Sequence, residues 1–460
     1  MYEQFLNVID QKSAQFCELA DTVWDLAETA FGEYRSSEAI TAFLKAEGFS
    51  ITQGVANIPT AFTAPYGSGH PHFGILAEYD ALEGMSQEGN VPVETPIPGK
   101  DTGHGCGHHL FCAGSTAAAV AVKAYIEATG KGSVTLFGCP AEENGAGKVF
   151  MVKRGVFSDV DAVVSWHPES MYMVRTRPSL ANVKVRYRFK GTAAHAGGSP
   201  HKGRSALDAV ELMNVGANFL REHMELTSRV HYAITDAGGS APNQVQSHAE
   251  VLYMIRAVDA ESVHELYQRV DRIAQGATLM TDTSVESQVV AGYANLVTIP
   301  TLQATANEAM HDIPFPVPSE EELAFGKALQ STMKLTAAQK AMPIFADHVL
   351  DPAPPVAHGG STDTADVSWN VPTVQMHIGT WAVGTPGHSW QSVAQGTGTY
   401  AKKAMLFAGK AVAGTIIRLF ENPDLVAKAK AEHAEKTIGG YICQIPDGIE
   451  PTILPDPRNG

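Results

Sequence analysis

The chain has 460 residues, too many for one ordinary core, so two domains are the expectation. Its composition, 44% hydrophobic and 18% charged, is that of a globular protein, and a formal net charge of −16 argues against nucleic acid or an anionic membrane as partner. An anionic small substrate stays open, because one local arginine overrides the global sign. Residues 3–30 carry helical spacing in Phe5, Val8, Ile9, Phe16, Leu19, Trp24 and Leu26. A second helix is expected over 37–47, with Ser37 as N-cap and Gly48 as stop. Strand-like runs follow at 49–55, 60–67 and 72–80. The last is apolar through Phe73, Ile75 and Leu76 and runs into Glu78, Tyr79 and Asp80. Open α/β sheets place ligand chemistry at such strand ends. Glu78 by itself reads better as a polar residue of the following loop.

A Gly/Pro-rich loop over 84–103 leads to GHGCGHHL, with His104, Cys106, His108 and His109. Alternating glycines let the backbone turn tightly. A thiolate and an imidazole two residues apart chelate a borderline-soft divalent metal. A Gly/His loop with one structural cysteine is the competing reading. A helix rich in small residues runs from Ala113 to Gly130, so the cluster lies at a helix entrance, where a thiolate is favoured. The next strand, with Val134, Leu136 and Phe137, ends at Pro140 and delivers Glu142 and Glu143. Adjacent carboxylates point apart, so one can hold a metal while the other acts as a base. A solvated acidic turn is the alternative. DAVVSWHPES repeats the pattern and places His167 past a strand end. A shared sheet edge explains the three cases most economically.

From Ala181 the pattern alternates, Val183, Val185, Tyr187 and Phe189 against Lys184, Arg186, Arg188 and Lys190, as in a half-exposed antiparallel strand. Ser205 and Asp208 give a capping-box-like start to a helix with the stripe Leu207, Val210, Met213, Ala217 and Leu220. Strands VHYAIT, AEVLYMIRAV and SVESQVVAGY around a helix at 260–278 complete an inserted α+β domain over 182–298. The flanking parts, 1–181 and 299–460, form one α/β domain. Its second part holds a helix at 319–334, the loop HGGSTDTADVSW, the buried strand VPTVQMHIG, a loop carrying His388, a long helix from Thr399 and a helical tail to Lys436. The five cysteines are scattered, which does not read as a disulfide framework. Neither a signal peptide nor an uninterrupted apolar span of ~20 residues is visible, so the expected location is the cytoplasm.

Cys106, His108, Glu143, His167 and His388, with Glu142 beside them, are too many ligands for one tetrahedral zinc and fit two metals that share a ligand. The stretches GHGCGHHL, PAEENGAGKVFMV, DAVVSWHPE, FKGTAAHAGGSPHKGRSALDAVELMN, STDTADVSW and AVGTPGHSWQ resemble family M20 of metallopeptidases and amidohydrolases, and within it the p-aminobenzoyl-glutamate hydrolase branch. The resemblance spans residues 20 to 410. It implies a phosphorylase/hydrolase-like α/β di-metal catalytic domain with an inserted α+β lid (dimerisation) domain. Two divalent ions, Mn²⁺ or Zn²⁺, are implied, with Cys106 as bridging thiolate and His108, Glu143, His167 and His388 completing the coordination. Asp80 would support the site from behind. Glu142 would be the general base, and His195 the lid histidine that stabilises the oxyanion, often from the partner subunit. Asn243 and Arg256 sit where relatives hold the substrate carboxylate; a turn residue and a strand-edge charge are the competing readings. Glu78 stands where many members have His, and His109 where close relatives carry Asn or Asp. The implied reaction is hydrolysis of an N-acyl or N-aroyl amino acid, with p-aminobenzoyl-glutamate as lead substrate. Other acyl amino acids, dipeptides, hydrolytic deamination and a non-catalytic partner subunit are the alternatives. The implied partner is a second copy of the chain or a homologous subunit.

Overall fold

A computed structural model describes residues 3–352 and 360–459. Four apolar runs, Ser133–Cys139, His72–Glu78, Ala162–Glu169 and Thr373–Gly379, lie side by side in that order as parallel strands. They are buried on both faces, which is why they read as near-continuous apolar stretches. Antiparallel strands complete the sheet, Phe62–Gly67 and Thr52–Gln53 on one side and Met173–Val174 on the other. Because the four central strands run the same way, the loops after Glu78, Cys139, Glu169 and Gly379 open on one edge.

The helix His108–Thr129 packs on this sheet and is covered by Thr399–Glu421. Small residues set the approach. A Cβ on Gly409 would meet Gly114 O at 3.0 Å, and one on Gly114 would meet the Trp166 ring at 2.6 Å. His108–Thr129 is long and apolar enough to cross a membrane, yet it is enclosed by the core.

The antiparallel strands Arg229–Asp236, His248–Ala257, Ala181–Lys190 and Ser284–Tyr293 form a second sheet in that order. Helices Ala206–Leu220 and Ala260–Thr281 cover the face that carries Val183, Val185, Tyr187 and Phe189, building a second hydrophobic core. Ser205 accepts the Asp208 N–H as helix cap, as the sequence predicts. A short ribbon pairs Ala194–His195 with Gln244–Val245.

The structure revises four local expectations. The first helical region is two helices, Glu3–Gln11 and Ser13–Leu26. The next helix is Tyr34–Ala46, so Ser37 lies inside it; its entrance is satisfied by Glu28, whose Oε2 accepts the Ser36 N–H and O–H at 2.8 Å each. The expected strand at 49–55 shrinks to Thr52–Gln53. The loop HGGSTDTADVSW holds the helix Thr364–Asn370, and its first two residues lie outside the described ones.

Candidate di-metal active site

Gly107 turns the chain with φ +74° into the helix that begins at His108. A side chain there would meet Pro168 at 3.0 Å, so only glycine lets this loop seat against the His167 strand end. Cys106 Sγ consequently lies 3.4 Å from His167 Nε2. His167 Nδ1 lies 2.7 Å from Pro168 O, which leaves Nε2 as the free lone pair aimed at the thiol. His388 N–H donates to Gly105 O at 3.0 Å, docking its loop on the same turn, and His388 Nε2 reaches within 3.3 Å of Glu143 Oε2.

The donor atoms of Cys106, His108 and His167 lie within 4.8 Å of one another, and so do those of Cys106, Glu143 and His388. Cys106 belongs to both triplets. Glu143 Oε1 is buried without a hydrogen-bond partner, and His108 Nε2 forms no hydrogen bond, with only Glu78 Oε2 near it at 3.2 Å. Acceptors of that kind are satisfied by a cation, and the mixed S/N/O set suits borderline divalent ions. The donor set therefore fits two divalent metals sharing one thiolate.

Behind the cluster, His108 Nδ1 donates to Asp80 Oδ1 at 2.9 Å, while Asp80 Oδ2 accepts the Glu143 N–H at 2.9 Å. Against the upward push of burial, these contacts hold the Asp80 carboxyl below its ordinary range. Asp80 thus orients His108 and raises its basicity. Glu78 is not a loop residue: it ends its strand, buried, with Oε1 2.6 Å from Lys148 Nζ, and Lys148 also pairs with Asp363. Burial, together with the charges of Glu78, Glu143 and Asp363, pushes the Glu142 carboxyl well above the carboxylate range. A carboxyl whose proton affinity is raised in this way is suited to accepting and returning a proton.

Cys106, Glu142, Glu143, His167 and His388 line one cavity of about 610 Å³. His108 lies beneath it, fully buried. Arg256 stands behind the wall: its Nη1 donates at 2.8 Å to Ser361 Oγ, and Ser361 faces the cavity. His195 and Asn243 do not line it. They sit together in the exposed ribbon, where Asn243 O accepts the Ala196 N–H and His195 Nδ1 accepts the N–H groups of Gly197 and Gly198. His104 and His109 are buried away from the cluster; their Nε2 atoms lie 3.0 Å from Val23 O and Gly396 O respectively.

Residues 74–389 match peptidase family M20/M25/M40. The chain belongs to this family. It is 42% identical to one of the subunits of p-aminobenzoyl-glutamate hydrolase from Escherichia coli strain K12, over 99% of both chains. The fold is similar to an aminobenzoyl-glutamate utilization protein from Klebsiella pneumoniae, with a TM-score of 0.60, 19% identity, and 88% of this chain and 98% of that one covered. It is also similar to the YXEP protein of Bacillus subtilis, a dinuclear metal binding peptidase from family M20, with a TM-score of 0.53, 19% identity, and 87% and 98% covered.

Against the M20 pattern, the structure adds groups that the sequence reading passed over. Lys148 is the buried cation between Glu78 and Asp363, but in sequence it is one lysine at a helix start. Arg175, Gln375 and His377 face the same cavity as the metal-type residues. The alternation of Gln375 and His377 with Val374, Met376 and Ile378 in the strand Thr373–Gly379 was the available clue to a polar face.

Proposed function

We propose that this M20 hydrolase cleaves the amide bond of N-acyl or N-aroyl amino acids, with p-aminobenzoyl-glutamate as the substrate. The 42% identity to the Escherichia coli hydrolase subunit along the whole chain carries this reading. The convergence of Cys106, His108, Glu143, His167 and His388 supports the chemistry. Two divalent ions, Mn²⁺ or Zn²⁺, would be held by those five side chains, with Cys106 shared. Bound there, they supply Lewis-acid polarisation of the amide carbonyl and acidify water. Glu142 takes the proton of the attacking water and returns it to the departing nitrogen. Arg256, which stands behind Ser361, would reach past it to pair with a substrate carboxylate through its fork of donors.

His195 and Asn243 act in this reading from the lid of a second copy of the chain. Their position outside the cavity lining supports that arrangement, as does the lid's exposed apolar stripe of Leu212, Val215 and Phe219. The lid is taken as 182–298 and the catalytic domain as 1–181 with 299–460. The relative's designation as one subunit of its hydrolase favours a second arrangement, in which a homologous chain replaces the second copy.

The deciding experiment is release of p-aminobenzoate from p-aminobenzoyl-glutamate by the purified chain with added Mn²⁺. Release supports the hydrolase, the substrate and self-sufficiency together. Ammonia release without p-aminobenzoate would replace hydrolysis of the amide by deamination. Silence from a chain carrying two metals would move the reading to a different acyl group or to a missing subunit.

A further inference from the structure

The cavity extends from the metal-type cluster to a wall built around Arg175. This residue follows the edge strand Met173–Val174 and is held by its neighbour strand: its N–H donates to Gln375 O at 2.9 Å and its Nη1 to Gln375 Oε1 at 2.8 Å. Gln303 Nε2 donates to Arg175 O at 3.0 Å and fixes the backbone. The guanidinium is thus oriented by a neutral amide. Among the described residues no carboxylate forms an ion pair with it; it is half-buried on the cavity wall, where burial opposes its charge and the more distant Glu142, Glu169 and Glu78 partly offset that. Arg177, two residues on at the exposed rim, has neither a hydrogen bond nor an ion pair among the described residues.

The acidic groups on the same cavity are otherwise engaged. Glu142 and Glu143 belong to the cluster. Glu169 accepts the Ser170 N–H at 2.9 Å and makes no ion pair with Arg175. Asp351 is exposed. A half-buried guanidinium with no directly paired carboxylate is under-compensated, and a ligand anion relieves that. Arg256 stands outside the cavity lining, behind Ser361.

We propose that Arg175, with Arg177 at the rim, receives a second carboxylate of the substrate, so that the site selects N-acyl derivatives of dicarboxylic amino acids over those with neutral side chains. The proposal rests on the amide-hydrolase reading above. It assigns the two carboxylates of one amino acid to two different arginines.

The test compares p-aminobenzoyl-glutamate with p-aminobenzoyl-glutamine, which differ only in the side-chain carboxylate. The wild-type chain is expected to favour the glutamate form by on the order of 10- to 100-fold in kcat/KM, mostly through KM. In Arg175→Met that preference falls to about one. Arg175→Lys keeps the stem and the charge but not the fork; it folds where Met fails to, and its preference lies between the two. A preference that survives in both variants, or an equal loss on both substrates, overturns the proposal. Calorimetric binding of both amides to Glu142→Ala protein, with and without Arg175→Met, separates the two readings. Glutamate-selective, Arg175-dependent binding with no hydrolysis by the wild-type chain would sink the hydrolase reading and leave the subsite standing. Hydrolysis without glutamate preference would do the reverse, and absence of both binding and hydrolysis would overturn the subsite as well.

Discussion

Glu142 and Glu143 are chain neighbours in different surroundings. Glu143 shares its ligand triplet with Cys106 and His388, whereas Glu142 groups with Glu78 and His108. Glu142→Ala should lower turnover by at least about a thousandfold, while metal analysis still finds two ions per chain. Cys106→Ser should instead lower the metal content itself, since both triplets use the one sulfur. A different expectation attaches to His104, whose ring is buried against Val23 O and whose pKa burial pushes down to about 3. The unfolded chain protonates this ring near pH 6.5, the folded chain only near 3. Its neutral form therefore contributes stability that is lost as pH falls from 6.5 toward 3, up to about 5 kcal/mol at the lower end. His104→Gln should flatten that dependence, read as urea midpoints at pH 7 and pH 4.5. Cys106, Glu142, Glu143 and His167 were legible in the sequence because each follows a buried apolar run or a tight turn, and parallel strands bring such ends to one edge. His104 and His109 were not separable from them by residue type or spacing. What sets them apart is tertiary: each ring is buried against a backbone carbonyl, Val23 O or Gly396 O.

At the scale of elements, Lys148 ties three of them together: its own helix Gly147–Lys153, the strand ending at Glu78, and the helix that follows Asp363. Lys148→Met leaves two buried carboxylates without a cation, and should reduce unfolding free energy by about 3–5 kcal/mol. Adding Glu78→Gln and Asp363→Asn should restore part of the loss, measured by chemical denaturation. The packing of the two longest catalytic-domain helices is as sensitive to volume. Gly114→Ala places a methyl at the Trp166 ring and should destabilise by about 1–3 kcal/mol. Element types were readable from periodicity throughout the lid, where the strand Ser284–Tyr293 and the cap at Ser205 fall where the alternation and the capping residues put them. Ends set by tertiary partners were not. Glu28 reaches from outside to start the helix at Tyr34, and no local pattern around Ser37 records that contact.

For the whole molecule, the exposed stripe on the lid helix Ala206–Leu220 is the feature that the isolated chain leaves without a purpose. Phe219 is 68% exposed and Val215 49%. If the proposed second copy packs on this stripe, Phe219→Asp should shift the chain toward the monomer in sedimentation velocity. If His195 works across the assembly, turnover should fall with it while both metals stay bound. The chain is interrupted by its lid in a particular way. The strand that leaves the catalytic unit and the strand that returns to it are neighbours, with Asn182 opposite Tyr293 in register. Facing residues of antiparallel strands lie only about 5 Å apart, so the entrance and exit of the whole insertion occupy one point on the parent fold. A two-residue Asn-Gly turn placed between them would close the gap with little loss of chain entropy. The insertion thus joins the parent fold at one doorway, and that doorway is shared: Tyr293 on the returning strand packs into the catalytic core and donates to Glu142 O, so the insertion is hinged on the site it covers.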